Sequence, residues 1–219
     1  MGREGFPIRR AAPGSVTSLS PTLYRCLKWL IRRTLGRWFV LDVEGLDWLP
    51  ATGPVIVCPK HQRWEDIPLI GAALPRVMHY IAKVELFQRP GQREFLLALG
   101  GVPVDRDHPR ATLSSFKRLA PLLQAGAGVI LFPEGTYVRG GVGPGKHRLI
   151  QMLLRLQTHP GIGALPFVPM GVRYEKQGCG YRVIIRLGPP LLTRHSSQAR
   201  ELTDKLMAEI ARLSQTGEF

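Results

Sequence analysis

Short apolar runs separated by helical segments constrain the fold of this chain more than any other feature. Val55–Cys58 has the composition of a buried strand, and Met78–Ala82 and Gly128–Phe132 repeat that pattern further along. Between such runs, segments such as 111–124 have the apolar spacing of helices. Alternating strands and helices are typical of an α/β protein with a mostly parallel sheet flanked by helices. We expect this architecture for residues 39–219.

Polar clusters follow three of the predicted strands. They are His61 to Asp66, Asp105-Arg106, and Glu134 to Thr136. Parallel sheets place their ligands at the carboxyl ends of the strands. The three clusters are therefore expected to share one edge of the sheet, where we predict the functional site.

His61 and Asp66 form the most specific of these patterns. Residues five positions apart do not share a helix face, so the pair can meet only across a turn. Pro68 favours a helix start, and Asp66 suits the cap before it. A carboxylate on one imidazole nitrogen would leave the other as a base. The spacing alone also fits a surface histidine beside a capping aspartate.

The charge of the chain predicts an anionic partner. The formal net charge of +14 suits an anionic membrane surface, nucleic acid or a phosphorylated substrate. No nucleic-acid motif is present, so we expect no nucleic-acid partner. The cysteines Cys26, Cys58 and Cys179 lack metal-ligand spacing and indicate a reducing compartment without disulfides. We expect no metal and no bound cofactor.

The N-terminal segment divides into a flexible basic tail, residues 1–20, and an amphipathic basic helix, residues 21–38. Apolar and cationic side chains alternate at helical spacing in the helix. They are Leu23, Leu27, Leu30, Ile31 and Trp38, with Arg25, Lys28, Arg32, Arg33 and Arg37. Such a helix lies in a membrane interface or packs on its own domain with a cationic rim. No apolar run is long enough to span a bilayer or to serve as a signal peptide.

Further candidates for binding phosphate are the cations Lys83, Arg106 and Arg139, each with a solvated or ion-paired alternative. The segment Gly140 to Lys146 matches part of a phosphate-binding loop. His147 follows where that loop carries Ser or Thr, which excludes a nucleoside triphosphatase. Apolar neighbours indicate that Cys58 is an inert buried thiol, although a Cys58-dependent acyl hydrolase is an alternative.

In order along the chain, these clusters resemble the motifs of lysophosphatidate acyltransferases and the wider glycerolipid acyltransferase family. His61 and Asp66 match H-x4-D, and Ala82–Leu86 resembles the segment A-K-x-E-L. Gly100 and Arg106 match the second motif, with Pro103 where phenylalanine is usual. Pro133–Thr136 matches P-E-G-T-R, with Tyr137 replacing the arginine, and Val168-Pro169-Met170 fits the fourth motif.

The resemblance implies that residues 39–219 form an acyltransferase domain. Acyl-CoA or acyl carrier protein would donate an acyl group to lysophosphatidate in phospholipid biosynthesis. His61, oriented by Asp66, would be the general base. The acceptor would be held by Lys83, Arg106, Glu134, Gly135, Thr136 and Arg139. The basic helix would place the protein peripherally or monotopically on the cytoplasmic membrane face.

Alternatives remain for the activity. The acceptor could instead be glycerol-3-phosphate or another lysolipid, such as a lyso-ornithine lipid. A second alternative is a non-catalytic module that binds an anionic membrane.

Overall fold

The computed structural model describes residues 19–105 and 109–215. A seven-stranded sheet has the order β1-β7-β6-β2-β5-β3-β4 and is parallel except for the β6–β7 pair. The predicted α/β class with a mostly parallel sheet and flanking helices is confirmed. The strands are β1 Phe39–Glu44, β2 Val55–Pro59, β3 Met78–Lys83, β4 Gly101–Val104, β5 Gly128–Ile130, β6 Phe167–Gln177 and β7 Gly180–Leu187.

Helices cover both faces of the sheet. They are α1 Pro21–Thr34, α2 Asp66–Ala73, α3 Gln92–Ala98, α4 Pro109–Lys117, α5 Ala120–Gln124, α6 His147–Leu156 and α7 Ala199–Ser214. The helix predicted over 111–124 is two helices, because Pro121 lacks the amide that would continue the first one. A 3-10 turn, Leu35–Arg37, extends α1.

Two apolar clusters form the core, one on each side of the sheet. One packs α6 and α7 against the sheet through residues such as Leu153 and Leu206. The other packs α2 against the opposite face through Leu69 and Ile70. The central strand β2 is fully buried, and the edge strand β4 carries Pro103, as proline in a strand predicts. The chain therefore leaves β2 at the middle of the sheet, between β5 and β6.

The N-terminal helix packs on the protein with part of its predicted cationic face. Arg32 donates a hydrogen bond of 2.9 Å to the carbonyl of Ala72, and Lys28 donates to the carbonyl of Leu74. These carbonyls lie at the C-terminal end of α2, where helix carbonyls lack partners and attract cations. Burial and the charge of Arg32 lower the pKa of Lys28. Two of the five predicted membrane cations are therefore occupied within the fold.

The apolar residues of α1 also divide between two faces. Leu27 and Ile31 turn partly inward, whereas Leu30 is 46% exposed and Trp29 is 64% exposed. Trp38, just beyond the helix, is 57% exposed. We define the outer surface as Trp29, Leu30, Arg33, Arg37 and Trp38. No helix in the described ranges is long and apolar enough to cross a bilayer.

Candidate active site

His61 and Asp66 meet across a turn after β2. His61 Nδ1 lies 3.0 Å from Asp66 Oδ2, and the Asp66 side chain is fully buried. The α2 helix begins at Asp66 with Glu65 at its cap, so Asp66 is not the cap residue that the sequence suggested. Its carboxylate points back along the chain, where Oδ2 accepts from the amides of Gln62 at 2.6 Å and Arg63 at 2.9 Å. The carboxylate thereby fixes the turn as well as the histidine.

Tyr174 completes the hydrogen bonding of Asp66. Its hydroxyl donates to Asp66 Oδ1 at 2.6 Å. Burial would raise the pKa of Asp66, but hydrogen bonds from His61, the Arg63 amide, Tyr174 and the Gln62 amide bring it below its ordinary value. Burial and the negative charge of Asp66 raise the pKa of Tyr174, so it remains a donor. An ionised Asp66 accepts the Nδ1 proton of His61 and leaves the Nε2 lone pair available.

Two aromatic rings enclose the imidazole. The Phe132 ring stacks on it at a centroid distance of 3.7 Å, and the Tyr137 ring lies 4.3 Å away, tilted by 50°. Phe132 is buried, whereas Tyr137 is 51% exposed. Burial and the charges of Asp66 and Glu65 raise the pKa of Tyr137, which stays a neutral phenol. His61 is therefore held on both faces.

A buried ion pair, Lys60 with Glu134, binds the backbone of His61. Lys60 Nζ is 2.9 Å from Glu134 Oε1, and Lys60 is 2% exposed. The lysine also donates to the carbonyls of Val138 at 2.7 Å and His61 at 3.3 Å. Glu134 accepts from the amide of His61 at 2.9 Å and from that of Gly143 at 2.8 Å.

This pair changes the interpretation of Glu134. The resemblance placed Glu134 among the residues that would hold the acceptor. The buried carboxylate instead binds the backbone at His61 and in the 140–145 loop. Arg106 lies outside the described residues. The 140–145 loop packs closely on the protein, because a Cβ at Gly145 would clash with Thr203 and one at Gly143 would lie 2.9 Å from Val138. The sequence analysis did not identify Lys60 as a structural residue. The only signal in the sequence is that Lys60 follows the apolar residues of a predicted buried strand.

The other predicted residues occupy different positions. Gly135 has a φ of 71°, a left-handed conformation that glycine adopts readily. Thr136 is exposed beside it. Lys83, at the end of β3, is exposed and is not part of the cleft beside His61. Cys58 is fully buried and burial raises its thiol pKa, which is contrary to the nucleophile alternative.

A cleft of about 420 Å3 opens beside the dyad. It is lined by Gln62, Arg63, Trp64, Glu65, Tyr137 and Arg139. Two of these side chains are cationic and one is anionic. Arg139, a candidate for binding phosphate, lines this cleft together with Tyr137, whose ring contacts His61. Within the described ranges, no group of three or more His, Cys, Asp or Glu residues could hold a metal ion.

The arrangement can perform base-assisted transfer. The free Nε2 can accept a proton from a hydroxyl group, and the adjacent cleft can hold a small anionic headgroup. The sequence spacing predicted the dyad, and the parallel β2 and β5 strands bring the Glu134 cluster to it.

Comparison with known proteins identifies a family and relatives of this chain. An acyltransferase family model matches residues 40–173. A 1-acyl-sn-glycerol-3-phosphate acyltransferase of Bacillus subtilis is 39% identical over 97 residues, which cover 44% of this chain and 48% of that protein. A lyso-ornithine lipid O-acyltransferase of Pseudomonas aeruginosa is 31% identical over 134 residues, which cover 61% of this chain and 49% of that protein.

A solved structure shows the same fold. The 1-acyl-sn-glycerophosphate (LPA) acyltransferase PlsC from Thermotoga maritima superposes with a TM-score of 0.67 at 20% identity, covering 90% of this chain and 82% of that one. The chain spans about half the length of the curated relatives it matches. The family model includes both His61 and Asp66 and covers more than half of the chain. The chain belongs to the acyltransferase family.

Proposed function

We propose that the protein transfers a fatty acyl group from a thioester to the free hydroxyl of lysophosphatidate, giving phosphatidate. The observation that carries the proposal is the 3.0 Å contact between His61 Nδ1 and the buried Asp66 carboxylate, which leaves Nε2 as a base. Family membership and the relatives named for acylation of 1-acyl-sn-glycerol-3-phosphate support the same chemistry.

The reaction runs by direct attack. His61 Nε2 takes the hydroxyl proton as the acceptor oxygen forms a bond to the thioester carbonyl carbon. The carbon–sulfur bond then breaks, and the proton passes from the imidazole to the departing sulfur. An ester and a free thiol are the products, and no covalent enzyme intermediate forms. The burial of Cys58 agrees with this route, because that thiol is out of reach of substrate.

The donor is acyl-CoA or acyl carrier protein, and the reaction belongs to phospholipid biosynthesis. Arg139 supplies positive charge for the acceptor's phosphate from the cleft. Gly135 and Thr136 form the neighbouring turn. Lys83 and Arg106 follow neighbouring strands and remain candidates for contacts with bound substrates.

The protein binds peripherally to the cytoplasmic face of a membrane through the outer surface of α1. Trp29 and Trp38 suit the lipid interface, and Arg33 and Arg37 suit anionic headgroups. Of the five predicted cations, Lys28 and Arg32 bind carbonyls of α2, which leaves the exposed Arg25, Arg33 and Arg37 for the membrane. At about 1 kcal/mol each, these three contribute about 3 kcal/mol of attraction to an anionic leaflet.

A test of the proposal measures free thiol release from acyl-CoA with lysophosphatidate as acceptor. His61→Ala is expected to lower kcat by about a hundredfold to ten-thousandfold, the contribution of general-base assistance. Arg155→Gln, on the exposed side of α6, is the control for an unrelated surface change. Turnover in His61→Ala close to that of the control would contradict the assignment of the base.

A second candidate acceptor is a lyso-ornithine lipid. It is favoured by the relative of that name and by Tyr137, which removes a cation from the third motif. Running lysophosphatidate, glycerol-3-phosphate and lyso-ornithine lipid with one acyl-CoA distinguishes the acceptors by kcat/KM.

A further inference from the structure

Arg63 is a cation of the cleft that the motifs do not assign. Its guanidinium carbon lies 4.7 Å from the ring centroid of Tyr174 and 4.7 Å from that of Tyr181. The two rings meet edge to face at 6.1 Å, and Phe39 stacks on Tyr181 at 6.0 Å. Cation–π contacts of this kind are attractive and hold the guanidinium against a fixed aromatic surface.

The backbone of Arg63 is also held in place, by a hydrogen bond to Asp66. Its amide donates to Asp66 Oδ2 at 2.9 Å, the oxygen that also contacts His61 Nδ1. Tyr174, one of the rings against the guanidinium, donates to the other oxygen of Asp66 at 2.6 Å. The same carboxylate therefore sets the position of both Arg63 and the proposed base.

The guanidinium has no acceptor within the described part of the chain. Its ring contacts engage the cation but place no hydrogen-bond acceptor on its five N–H donors. Arg63 lines the 420 Å3 cleft together with Arg139. Glu65 lines it as well, so the charged residues of the cleft sum to one net positive charge, two arginines less one glutamate. An oriented guanidinium with free donors beside an open cleft suits a phosphate or carboxylate, which accepts two parallel hydrogen bonds.

We infer that Arg63 binds the anionic group of the acceptor lysolipid. This inference rests on the proposed function and identifies the side chain that selects a charged acceptor. Arg63 holds the anion next to the dyad, so the acceptor hydroxyl reaches His61 from the cleft. Arg139 contributes from the Tyr137 side of the cleft. The rings of Tyr174 and Tyr181 hold the Arg63 guanidinium at the cleft, so that the side chain does not swing out into solvent.

The experiment compares wild type with Arg63→Gln, Arg63→Lys and the control Arg155→Gln on acceptors with and without an anion. With lysophosphatidate, Arg63→Gln is expected to lower kcat/KM by about tenfold to a hundredfold, mainly through acceptor KM, because charge-assisted hydrogen bonds are lost. With neutral monoacylglycerol it should match the control. Arg63→Lys should lie between them, since it keeps the charge but loses the paired donors.

Three outcomes would overturn the inference. Equal losses on both acceptors would make Arg63 a positioning residue that acts through Tyr174 and Asp66. A selective rise in KM for acyl-CoA would place the donor's phosphates there instead. Kinetics like those of Arg155→Gln would exclude any role. In each of these cases, acyl transfer to lysophosphatidate by the wild-type protein would still support the proposed function.

A binding measurement separates this inference from the proposed reaction. Calorimetric titration with sn-glycerol 3-phosphate, and with glycerol as the uncharged control, requires no turnover. We expect binding of the phosphate to wild type and to Arg155→Gln, and at least tenfold weaker binding to Arg63→Gln. Equal affinity in all three proteins would overturn the anion site even if acyl transfer is observed.

Discussion

Lys60 Nζ and the Glu134 carboxylate, 2.9 Å apart, form an ion pair, and the same carboxylate accepts a hydrogen bond from the backbone amide of His61. Glu134 follows β5 and Lys60 follows β2, so the pair joins two neighbouring strand ends. Removing one member of such a pair leaves an uncompensated buried charge, which costs about 3–5 kcal/mol. The pair therefore both stabilises this edge of the sheet and positions the proposed base.

Lys60→Met should lower the free energy of unfolding by about 3–5 kcal/mol, because it strands the buried Glu134 carboxylate. The double variant Lys60→Met/Glu134→Gln should recover part of that loss, since the unpaired charge is gone. Urea denaturation of wild type, both single variants and the double variant gives the coupling free energy. Strictly additive effects would mean that the two side chains do not depend on each other.

Tyr137→Ala should lower kcat by about threefold to tenfold, because the imidazole loses an aromatic neighbour worth about 0.5–1.5 kcal/mol. Tyr137→Phe keeps the ring and should retain turnover near that of wild type. Steady-state kinetics with lysophosphatidate compare the two. A deficit of the same size in Tyr137→Phe would show that the hydroxyl, and not the ring, is the important group.

Tyr174→Phe should lower the free energy of unfolding by about 2 kcal/mol at pH 7, because ionised Asp66 loses a charge-assisted hydrogen bond. The pKa of Asp66 is lowered in the folded state, so the unfolded chain binds the proton more tightly. The stabilisation is therefore complete above about pH 4, the ordinary pKa of aspartate, and is lost as the pH falls through the folded-state pKa.

Denaturation of wild type and Tyr174→Phe at several pH values checks this dependence. The difference between the two proteins should narrow as the pH falls below about 4. The phenylalanine keeps the ring under Arg63, so the comparison isolates the hydroxyl. A gap that widens on acidification would contradict the ionised state assigned to Asp66.

Trp29→Ala should weaken binding to vesicles of anionic phosphatidylglycerol by about tenfold or more, because a large apolar side chain is lost from the interface. Trp48 is the matched control, since it is 49% exposed but lies outside the outer surface. Vesicle co-sedimentation measures both variants. If the Trp29→Ala and Trp48→Ala variants bind the vesicles equally well, the proposal that α1 contacts the membrane is wrong.

The dyad could be predicted because its members are five residues apart and the intervening turn follows from local chemistry. Strands β2, β3 and β5 could be predicted for a similar reason, since each coincides with a short apolar run that has its own boundaries. Proline in a strand favours an edge position or a strand end, and β4, which carries Pro103, lies at an edge of the sheet. These features depend on residues that are neighbours in sequence.

The features that sequence reasoning missed depend on distant partners. Lys60 needs Glu134, and Arg63 needs Tyr174 and Tyr181, which come from strands far along the chain. Helical periodicity predicted that α1 is amphipathic but could not show that Lys28 is turned toward the protein. In the sequence, a cation that binds the carbonyls of a neighbouring helix recurs at the same helical spacing as a cation that faces solvent.

The contacts of Lys28 and Arg32 with the end of α2 have a mechanical consequence. The clamped carbonyls lie at one end of α2 and Asp66 lies at the other, separated by a helix of eight residues or about 12 Å. Because α2 is one continuous hydrogen-bonded helix, a movement of α1 that displaces these carbonyls would also displace the Asp66 carboxylate, and with it the imidazole that Asp66 orients.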